Sequence, residues 1–504
     1  MADSATSTPP TATTSLRHKT VRGVMWLVVQ SFATRGVTLL QQVALAWFLV
    51  KEDFGLIALT YTVSTFITLL ANPGIDTVLI QRQRRYRCWA TPAFWLGMST
   101  GLIGMFLMAL AAPVAAWAYG RPKLVGLILV LAIAAPLQTL QIVPRAKLQG
   151  SLQFRTLVSL TFLGNILTAM LSVLLAYFGF GAYSFAVPVP IVAGIVAATA
   201  WWLAGTTVQR DPHIRRWKYL LGDGAAMSGT RFLQMLISQG DYLCLGLAGV
   251  SEASIGIYYF AFRLSTQSFS LIANSVPMVL FPSLSQLVLD PHRQLRSTMR
   301  ASRLLALVAI PFCMLQILLA EPMIRLLCPP PWLDAVLPLQ ILTVGIMVNA
   351  PAWPANSLLM AQRRFGELLH VSMVCTTTFF AAVGGALMFE KSIVSVAIAV
   401  CLWYLWATPY YYWVAVRPHV PFYGYFVEVY RPFLAGLVPF VLCAFMIRQF
   451  PIGGLTELVG LVVTTMIYCA IYLGLLRSWA AKDFHDLFIQ ITPLWDRLKG
   501  WSAL

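Results

Sequence analysis

The sequence has few charged residues and few histidines for its length. Charged residues make up 11% of its 504 residues, hydrophobic residues make up 59%, and the mean hydropathy is +0.75. A soluble chain would carry about 25% charged residues. The composition therefore excludes a soluble globular protein and leaves no segment for a sizeable soluble domain.

The residue types of metal and thiol chemistry lack the spacing that such sites need. The eight cysteines form no CxxC pair, and the six histidines are scattered and form no HExxH motif. Cysteines inside apolar segments are typical of small buried hydrophobic residues. No DxD motif occurs either. The sequence thus predicts no metal, no cofactor, no disulfide framework and no enzyme activity.

Apolar segments of about 20 residues recur along the whole chain, and each is long enough to cross a bilayer. Within lipid such segments must be helices, because every backbone polar group has to be paired inside the segment. We therefore expect an all-α, polytopic membrane protein of about 14 transmembrane helices. They would form two pseudo-symmetric six-helix lobes followed by two C-terminal helices. The eighth and ninth helices are predicted at about 254–288 and 302–320.

The distribution of Lys and Arg predicts the orientation. With both termini in the cytoplasm, most of the cations outside the apolar segments fall on the cytoplasmic side, as membrane proteins prefer. This topology also explains the net charge of +17 better than binding to nucleic acid does. The predicted divisions are a disordered cytoplasmic tail (1–15), an N-terminal lobe (16–208), a cytoplasmic loop (209–218), a C-terminal lobe (219–416), helices 13 and 14 (417–477) and a cytoplasmic amphipathic tail (478–504). The amphipathic tail would anchor the chain at the membrane surface or bind a partner.

An internal repeat relates the first pair of apolar segments to the seventh and eighth. Three triplets recur in the same order: Ala33-Thr34-Arg35 with Gly229-Thr230-Arg231, Phe54-Gly55-Leu56 with Ile255-Gly256-Ile257, and Leu70-Ala71-Asn72 with Ile272-Ala273-Asn274. Repeated halves with a binding site near the membrane midplane are typical of secondary transporters. The alternative is chance similarity, since membrane helices draw on a small set of residues.

Three arginines fall inside apolar segments and belong to no loop: Arg35, Arg231 and Arg263. A cation inside the membrane is costly and usually faces a water-filled cavity or a partner. Arginine binds phosphate groups in a bidentate manner and stays charged. The three arginines are therefore predicted to bind an anionic substrate, with Arg35 and Arg231 facing each other. The alternative is that each pairs internally with an aspartate.

Two aspartates in the same segments, Asp76 and Asp241, are candidate ion-coupling sites. Coupling to Na⁺ or H⁺ requires a membrane carboxylate whose occupancy changes, but structural pairing would place the same residues there. Arg145 and Lys147 end the fourth segment on the cytoplasmic side. They would either guide phosphate headgroups to the cavity or only set the topology.

Three stretches resemble a known family. They are QSFATRGVTLLQQVALAWFLVKEDFGLIALT, NPGIDTVLIQRQ, and the run that contains IGIYYFAFRLS and PMVLFPSLSQL. Together they resemble the polysaccharide transporters of the multidrug/oligosaccharidyl-lipid/polysaccharide exporter superfamily, in particular Wzx-type and colanic-acid-exporter-like flippases, over about residues 20–480. The lipid II flippases are a sister branch with the same general architecture, and the local motifs do not favour them.

The resemblance implies a flippase of the bacterial inner membrane that acts by alternating access around a cationic cavity. Its expected substrate is a polyprenyl-pyrophosphate-linked oligosaccharide, for exopolysaccharide, capsule or O-antigen synthesis. Expected partners are membrane lipids, a polysaccharide polymerase and a chain-length regulator. The alternatives are a multidrug or cation antiporter, which would need cavity carboxylates rather than arginines, and a membrane polymerase or glycosyltransferase, which would need a large outer loop.

Overall fold

The computed structural model describes most of the chain as helix. The described residues are 33–71, 86–151, 153–273, 290–417, 422–447 and 455–479, together with a few isolated positions between them. Asp76, the 1–15 tail and nearly all of the predicted amphipathic tail lie outside the described residues. No strand occurs in the described ranges.

We number the described helices in chain order. They are α1 (33–48), α2 (Lys51–Ala71), α3 (Tyr86–Tyr119), α4 (Lys123–Thr139), α5 (Ile142–Gly150), α6 (Phe154–Tyr177), α7 (Pro188–Ala204), α8 (Trp217–Leu247), α9 (Glu252–Ala273), α10 (Pro291–Leu327), α11 (Val336–Asn349), α12 (Trp353–Ala361), α13 (Phe365–Phe389), α14 (Ile393–Val416), α15 (Phe422–Ile447) and α16 (Leu455–Trp479).

Many of these helices can cross a membrane. Within the described residues, nine helices are long and apolar enough, and a tenth span results if α4 and α5, which meet at a bend of 41°, are counted together. Large apolar side chains such as Trp117, Trp202 and Phe389 are more than four-fifths exposed, which suits contact with lipid. The chain is therefore a multi-pass membrane protein. The total of 14 helices stays a prediction.

The chain divides into two compact units. One contains residues 1–45, 63–115 and 123–228, and the other contains residues 46–62, 116–122 and 229–504. The second unit thus includes the end of α1, the first half of α2 and the α3–α4 connection. The predicted division into lobes at residues 209–218 follows the sequence pattern alone and stays a prediction.

In the second unit, the two C-terminal helices pack against α10. Tyr472 on α16 donates its hydroxyl to the Leu307 carbonyl oxygen at 2.9 Å, and both residues are buried. Arg325, near the end of α10, binds Glu457, in the first turn of α16. Apolar and ionic contacts therefore hold the last helices to the same unit.

The start of α10 differs from the sequence prediction. The apolar pattern predicted a helix from about residue 302, whereas α10 begins at Pro291. The Asp290 side chain accepts a hydrogen bond from the Arg293 N–H, and proline occupies the first helical position. Both features favour a helix start. Hydropathy marks only the apolar part of this helix and misses its basic first turns.

Candidate functional site

The repeated triplets lie at matching places in two helices. Gly55 is the fifth residue of α2, and Gly256 is the fifth residue of α9. Both helices have an acidic residue in their first turn, where carboxylates stabilise the helix dipole. The repeat seen in the sequence therefore corresponds to two helices that begin at equivalent positions.

Arg263 lies on α9 within the second unit and is held by an aromatic neighbour one turn away. Its Nη1 donates to the Tyr259 hydroxyl at 3.0 Å, and its guanidinium lies 5.6 Å from the centre of the same ring. Tyr61 on α2 is close enough to interact electrostatically with this arginine. Among the described residues, no carboxylate lies within 4.0 Å of the Arg263 guanidinium. Arg263 is half-buried, so its side chain is partly shielded by the protein and partly accessible.

Asp241 lies on α8 in the same unit and is 2% exposed. Its Oδ2 accepts a hydrogen bond from the Tyr258 hydroxyl at 2.9 Å, and its Oδ1 accepts one from the Tyr242 N–H at 2.9 Å. Within the described ranges no arginine reaches this carboxylate. The partners of Asp241 are thus neutral donors, which stabilise a buried charge less than a cation would.

A tyrosine ring lies between the two polar pairs. The Tyr242 ring centre is 5.6 Å from that of Tyr258, which binds Asp241, and 5.8 Å from that of Tyr259, which binds Arg263. Both contacts are edge-on, as aromatic pairs prefer. Asp241 and Arg263 therefore belong to one aromatic cluster, with rings and hydroxyl groups between the two charges.

Arg35 and Arg231 lie on α1 and α8, and each is half-buried. They belong to different compact units, Arg35 to the first and Arg231 to the second. Each takes part in further polar or electrostatic interactions. That these two arginines face each other stays a prediction.

Arg145 and Lys147 lie together on α5 in the first unit. The Lys147 ammonium donates to the Gly205 carbonyl oxygen at 3.0 Å, at the C-terminal end of α7. Such a cation stabilises the helix dipole, which is a structural role. The Arg145 Nε is buried and has no hydrogen-bond partner among the described residues. Of the two, Arg145 keeps the greater capacity to bind an anion.

The tyrosines that hold the charged groups were not predicted from the sequence. Tyr259 precedes Arg263 by four residues, a spacing that places both on one helix face, so this pair could have been found. Tyr258 and Asp241 lie on different helices, and their contact depends on how α8 and α9 pack. No local pattern indicates that second pair.

The chain is similar to known proteins of polysaccharide biosynthesis. The profile of a family described as "Polysaccharide biosynthesis protein" matches residues 44–337, which is more than half of the chain. The chain is 25% identical over 482 residues to the succinoglycan biosynthesis transport protein ExoT of Rhizobium meliloti (strain 1021), which covers 92% of this chain and 95% of that protein. It is 22% identical over 458 residues to the lipopolysaccharide biosynthesis protein WzxC of Escherichia coli (strain K12), which covers 84% and 86%.

A solved structure shares the fold. The lipid II flippase MurJ in an inward closed conformation superposes with a TM-score of 0.73 at 14% identity, over 89% of this chain and 98% of that chain. At this identity the likeness shows the fold alone. With the long apolar helices described above, it confirms the predicted all-α membrane fold.

Proposed function

The chain belongs to the family of polysaccharide biosynthesis proteins, and we propose that it is a flippase for polyprenyl-pyrophosphate-linked oligosaccharides. Its curated relatives include proteins named for transport in polysaccharide biosynthesis, which confirms the predicted resemblance. The chain is thus a membrane transporter of polysaccharide biosynthesis rather than an enzyme. Its proposed substrate unit would serve exopolysaccharide, capsule or O-antigen synthesis.

The single observation that carries the proposal is the state of Arg263. It is a shielded guanidinium that binds a neutral tyrosine and has no carboxylate partner among the described residues. A pyrophosphate would supply the missing negative charge and accept several N–H donors at once. An organic cation would be repelled at the same place. Arg263 therefore favours an anionic substrate over the cationic drugs of the antiporter alternative.

The other predicted substrate residues are proposed to assist Arg263. Arg35 and Arg231 would complete a cationic cavity that opens to each side of the membrane in turn. Arg145, whose buried Nε has no partner in the described part of the chain, would bind a phosphate oxygen during entry, with Lys147 beside it. The lipid tail would stay in the bilayer while the sugar and pyrophosphate cross.

Asp241 is the proposed ion-coupling residue within the described part of the chain. It is buried, and among the described residues its side chain accepts hydrogen bonds from the Tyr258 hydroxyl and the Tyr242 N–H. Without an arginine partner, a buried carboxylate gains much from binding a proton or a Na⁺ ion. Asp76 is proposed for the same role on the basis of the sequence. Either residue could couple ion entry to export.

The proposed setting is the bacterial inner membrane, with both termini in the cytoplasm. Movement of the anionic substrate outward would then follow an inside-negative potential, which contributes about 2.3 kcal/mol per charge per 100 mV across the full field. A polymerase and a chain-length regulator would use the exported units at the outer face.

Purified protein in liposomes tests the proposal, with a labelled polyprenyl-pyrophosphate oligosaccharide placed in one leaflet. Arg263→Gln should lose most transport because it removes the cation, and Tyr259→Phe should lose part because it frees the guanidinium. Lys391→Gln removes one exposed cation and is the matched control. Equal rates for Arg263→Gln and Lys391→Gln would refute the role of Arg263. Export of an organic cation by wild type, with no movement of the lipid, would refute the flippase proposal.

A further inference from the structure

The first turns of α2 and α9 approach each other at the two glycines that the repeat aligns. A Cβ added at Gly55 would lie 2.0 Å from the Glu252 carbonyl oxygen, and one added at Gly256 would lie 1.8 Å from the Lys51 carbonyl oxygen. Both distances are far below van der Waals contact. Small residues allow such close approach between membrane helices. At both positions any side chain would force the two helix ends apart.

The two contacts are equivalent under the internal repeat. The alignment that pairs Gly55 with Gly256 also pairs Lys51 with Glu252. Gly55 therefore contacts Glu252, and Gly256 contacts Lys51, which is the repeat equivalent of Glu252. Such reciprocal contacts are the pattern of an interface around a two-fold axis. The close agreement of the two distances supports this local symmetry. The glycines of the repeat thus form a symmetric crossing between its two copies.

An aromatic cluster surrounds the crossing. Trp332, in the turn before α11, lies 4.7 Å from the Phe54 ring centre and 4.5 Å from that of Phe260. Its Nε1 donates to the Ala46 carbonyl oxygen at 3.0 Å, and the residue is 2% exposed. One side chain therefore packs on both copies of the repeat and fills the space beside the glycines.

Two ion pairs lie at the edge of the same region. Lys51 Nζ is 2.7 Å from Asp334 Oδ2, and Arg121 Nε is 3.4 Å from Glu252 Oε1. Arg121 also donates to the Val250 carbonyl oxygen. Burial lowers the pKa of the Arg121 guanidinium, and the Glu252 carboxylate partly offsets this effect. All of these residues lie within the second compact unit.

We propose that the Gly55–Gly256 crossing is a reversible seal that closes the transport path at one end. In the predicted topology the N-terminus is cytoplasmic and α1 crosses the membrane, so Lys51, which directly follows α1, lies on the outer side and the closed end is the outer one. The inference rests on the proposed function, since a seal of this kind matters only in a transporter. Its physical basis is that no side chain stands between the two backbones at the glycines, so none blocks their contact when the helices return.

The contacts around the crossing suit repeated opening. The Asp334 side chain is 68% exposed, so its pairing with Lys51 costs little to break. Lys51 and Asp334 regain water when they separate. The two backbone contacts at the glycines are lost together, because each depends on the same crossing. The seal thus has two well-defined states, either closed at both glycines or open at both.

Alanine substitutions test the seal against a matched glycine. Gly55→Ala and Gly256→Ala should keep the outer end open, because the new Cβ clashes with the opposite carbonyl oxygen. Gly384→Ala on α13 is the control, since nothing lies within 4 Å of its Cβ position. Alanine favours helix over glycine, so loss of helix would not explain a defect.

Spin labels at Val50→Cys and Leu333→Cys would report the state of the seal. Both positions are exposed and flank the Lys51–Asp334 pair without removing it. The exposed Cys88 and Cys469 would be replaced by serine. In liposomes, wild type and Gly384→Ala should give a short distance, whereas Gly55→Ala and Gly256→Ala should lose that short-distance population and lose transport. Unchanged distances in both glycine variants would overturn the proposal.

A cleavable cross-link between the same two cysteines gives a second test that needs no glycine variant. Cross-linking should abolish transport, and cleavage should restore it. Transport at the original rate while cross-linked would refute the proposal that the seal opens. This outcome can be measured even if the alanine variants fail to fold. If the proposed substrate is wrong, no variant moves the labelled lipid, yet the distance difference between Gly55→Ala and Gly384→Ala persists. The two failures are therefore distinguishable.

Discussion

The ion pair between Arg325 and Glu457 should make a large contribution to the stability of the second unit. Arg325 Nη2 and Nε lie 3.0 and 3.3 Å from Glu457 Oε1. The Glu457 side chain is 7% exposed, whereas that of Arg325 is 32% exposed. Removal of the arginine would therefore take a cation away from a buried carboxylate.

The magnitude follows from three effects. Breaking a buried ion pair by removal of one partner costs about 3–5 kcal/mol. The start of α16 stabilises the Glu457 charge by about 0.3–1 kcal/mol, and the partial exposure of Arg325 lowers the cost further. We expect Arg325→Met to reduce the free energy of unfolding by about 2–3 kcal/mol. In Arg325→Met/Glu457→Leu the buried carboxylate is gone as well, so most of the loss should be recovered.

Unfolding in mixed micelles with increasing denaturing detergent would measure these differences. Glu321→Gln is the matched control, because Glu321 pairs with the same arginine at 3.5 Å but is 62% exposed. Its effect should be about 0.5 kcal/mol or less. An Arg325→Met variant that is no less stable than Glu321→Gln would refute the expected role of the ion pair. A double variant less stable than Arg325→Met alone would refute it as well.

Three further substitutions have defined expectations in the same unfolding measurement. Trp332→Ala should cost about 3–5 kcal/mol because it empties a buried aromatic site, and a loss below that of Glu321→Gln would contradict this. Tyr258→Phe should cost about 1.5–3 kcal/mol by removing a donor from the Asp241 carboxylate, and the loss should fall to about 0.5–1.5 kcal/mol in an Asp241→Asn background, where the acceptor is a neutral amide oxygen. Gly101→Ala should cost about 1–3 kcal/mol, since its Cβ would lie 2.5 Å from Thr139 Oγ1. If Gly101→Ala were as stable as Gly384→Ala, this expectation would be wrong, because α3 and α4 would have moved apart at little cost.

The sequence was sufficient to predict the fold class because the membrane imposes one rule on every segment. A long apolar segment in lipid has to be a helix, whatever its detailed sequence. The same rule cannot place helix ends that lie in polar surroundings. The start of α10 at Pro291 depends on Asp290 as a cap, and that signal is local and separate from hydropathy.

The charged candidates were predictable, but most of their partners were not. Arg263 stands out because a cation in an apolar segment is rare and costly. Its partner Tyr259 follows from helical spacing. The Tyr258–Asp241 contact joins two helices, and the proximity of these two residues exists only after α8 and α9 pack. Sequence therefore indicates which groups need a partner more readily than it indicates the partner.

The repeat preserves the glycine crossing in both copies but places Arg263 in one copy alone. Gly55 and Gly256 are both retained because each copy has to approach the backbone of the other, and any side chain at either position would break the crossing. The position of α2 that aligns with Arg263 is Thr62, whose hydroxyl bonds within its own helix to the Ala58 carbonyl oxygen. The cation thus belongs to one copy alone.

A symmetric scaffold can open and close around its axis, whereas an asymmetric charge can hold one anionic group at a defined place beside that axis. The two features are separable, so a substitution at Arg263 should impair substrate binding and leave closure at the glycines intact. Spin-label distances in Arg263→Gln that match wild type would agree with this separation, and distances that match Gly55→Ala would contradict it.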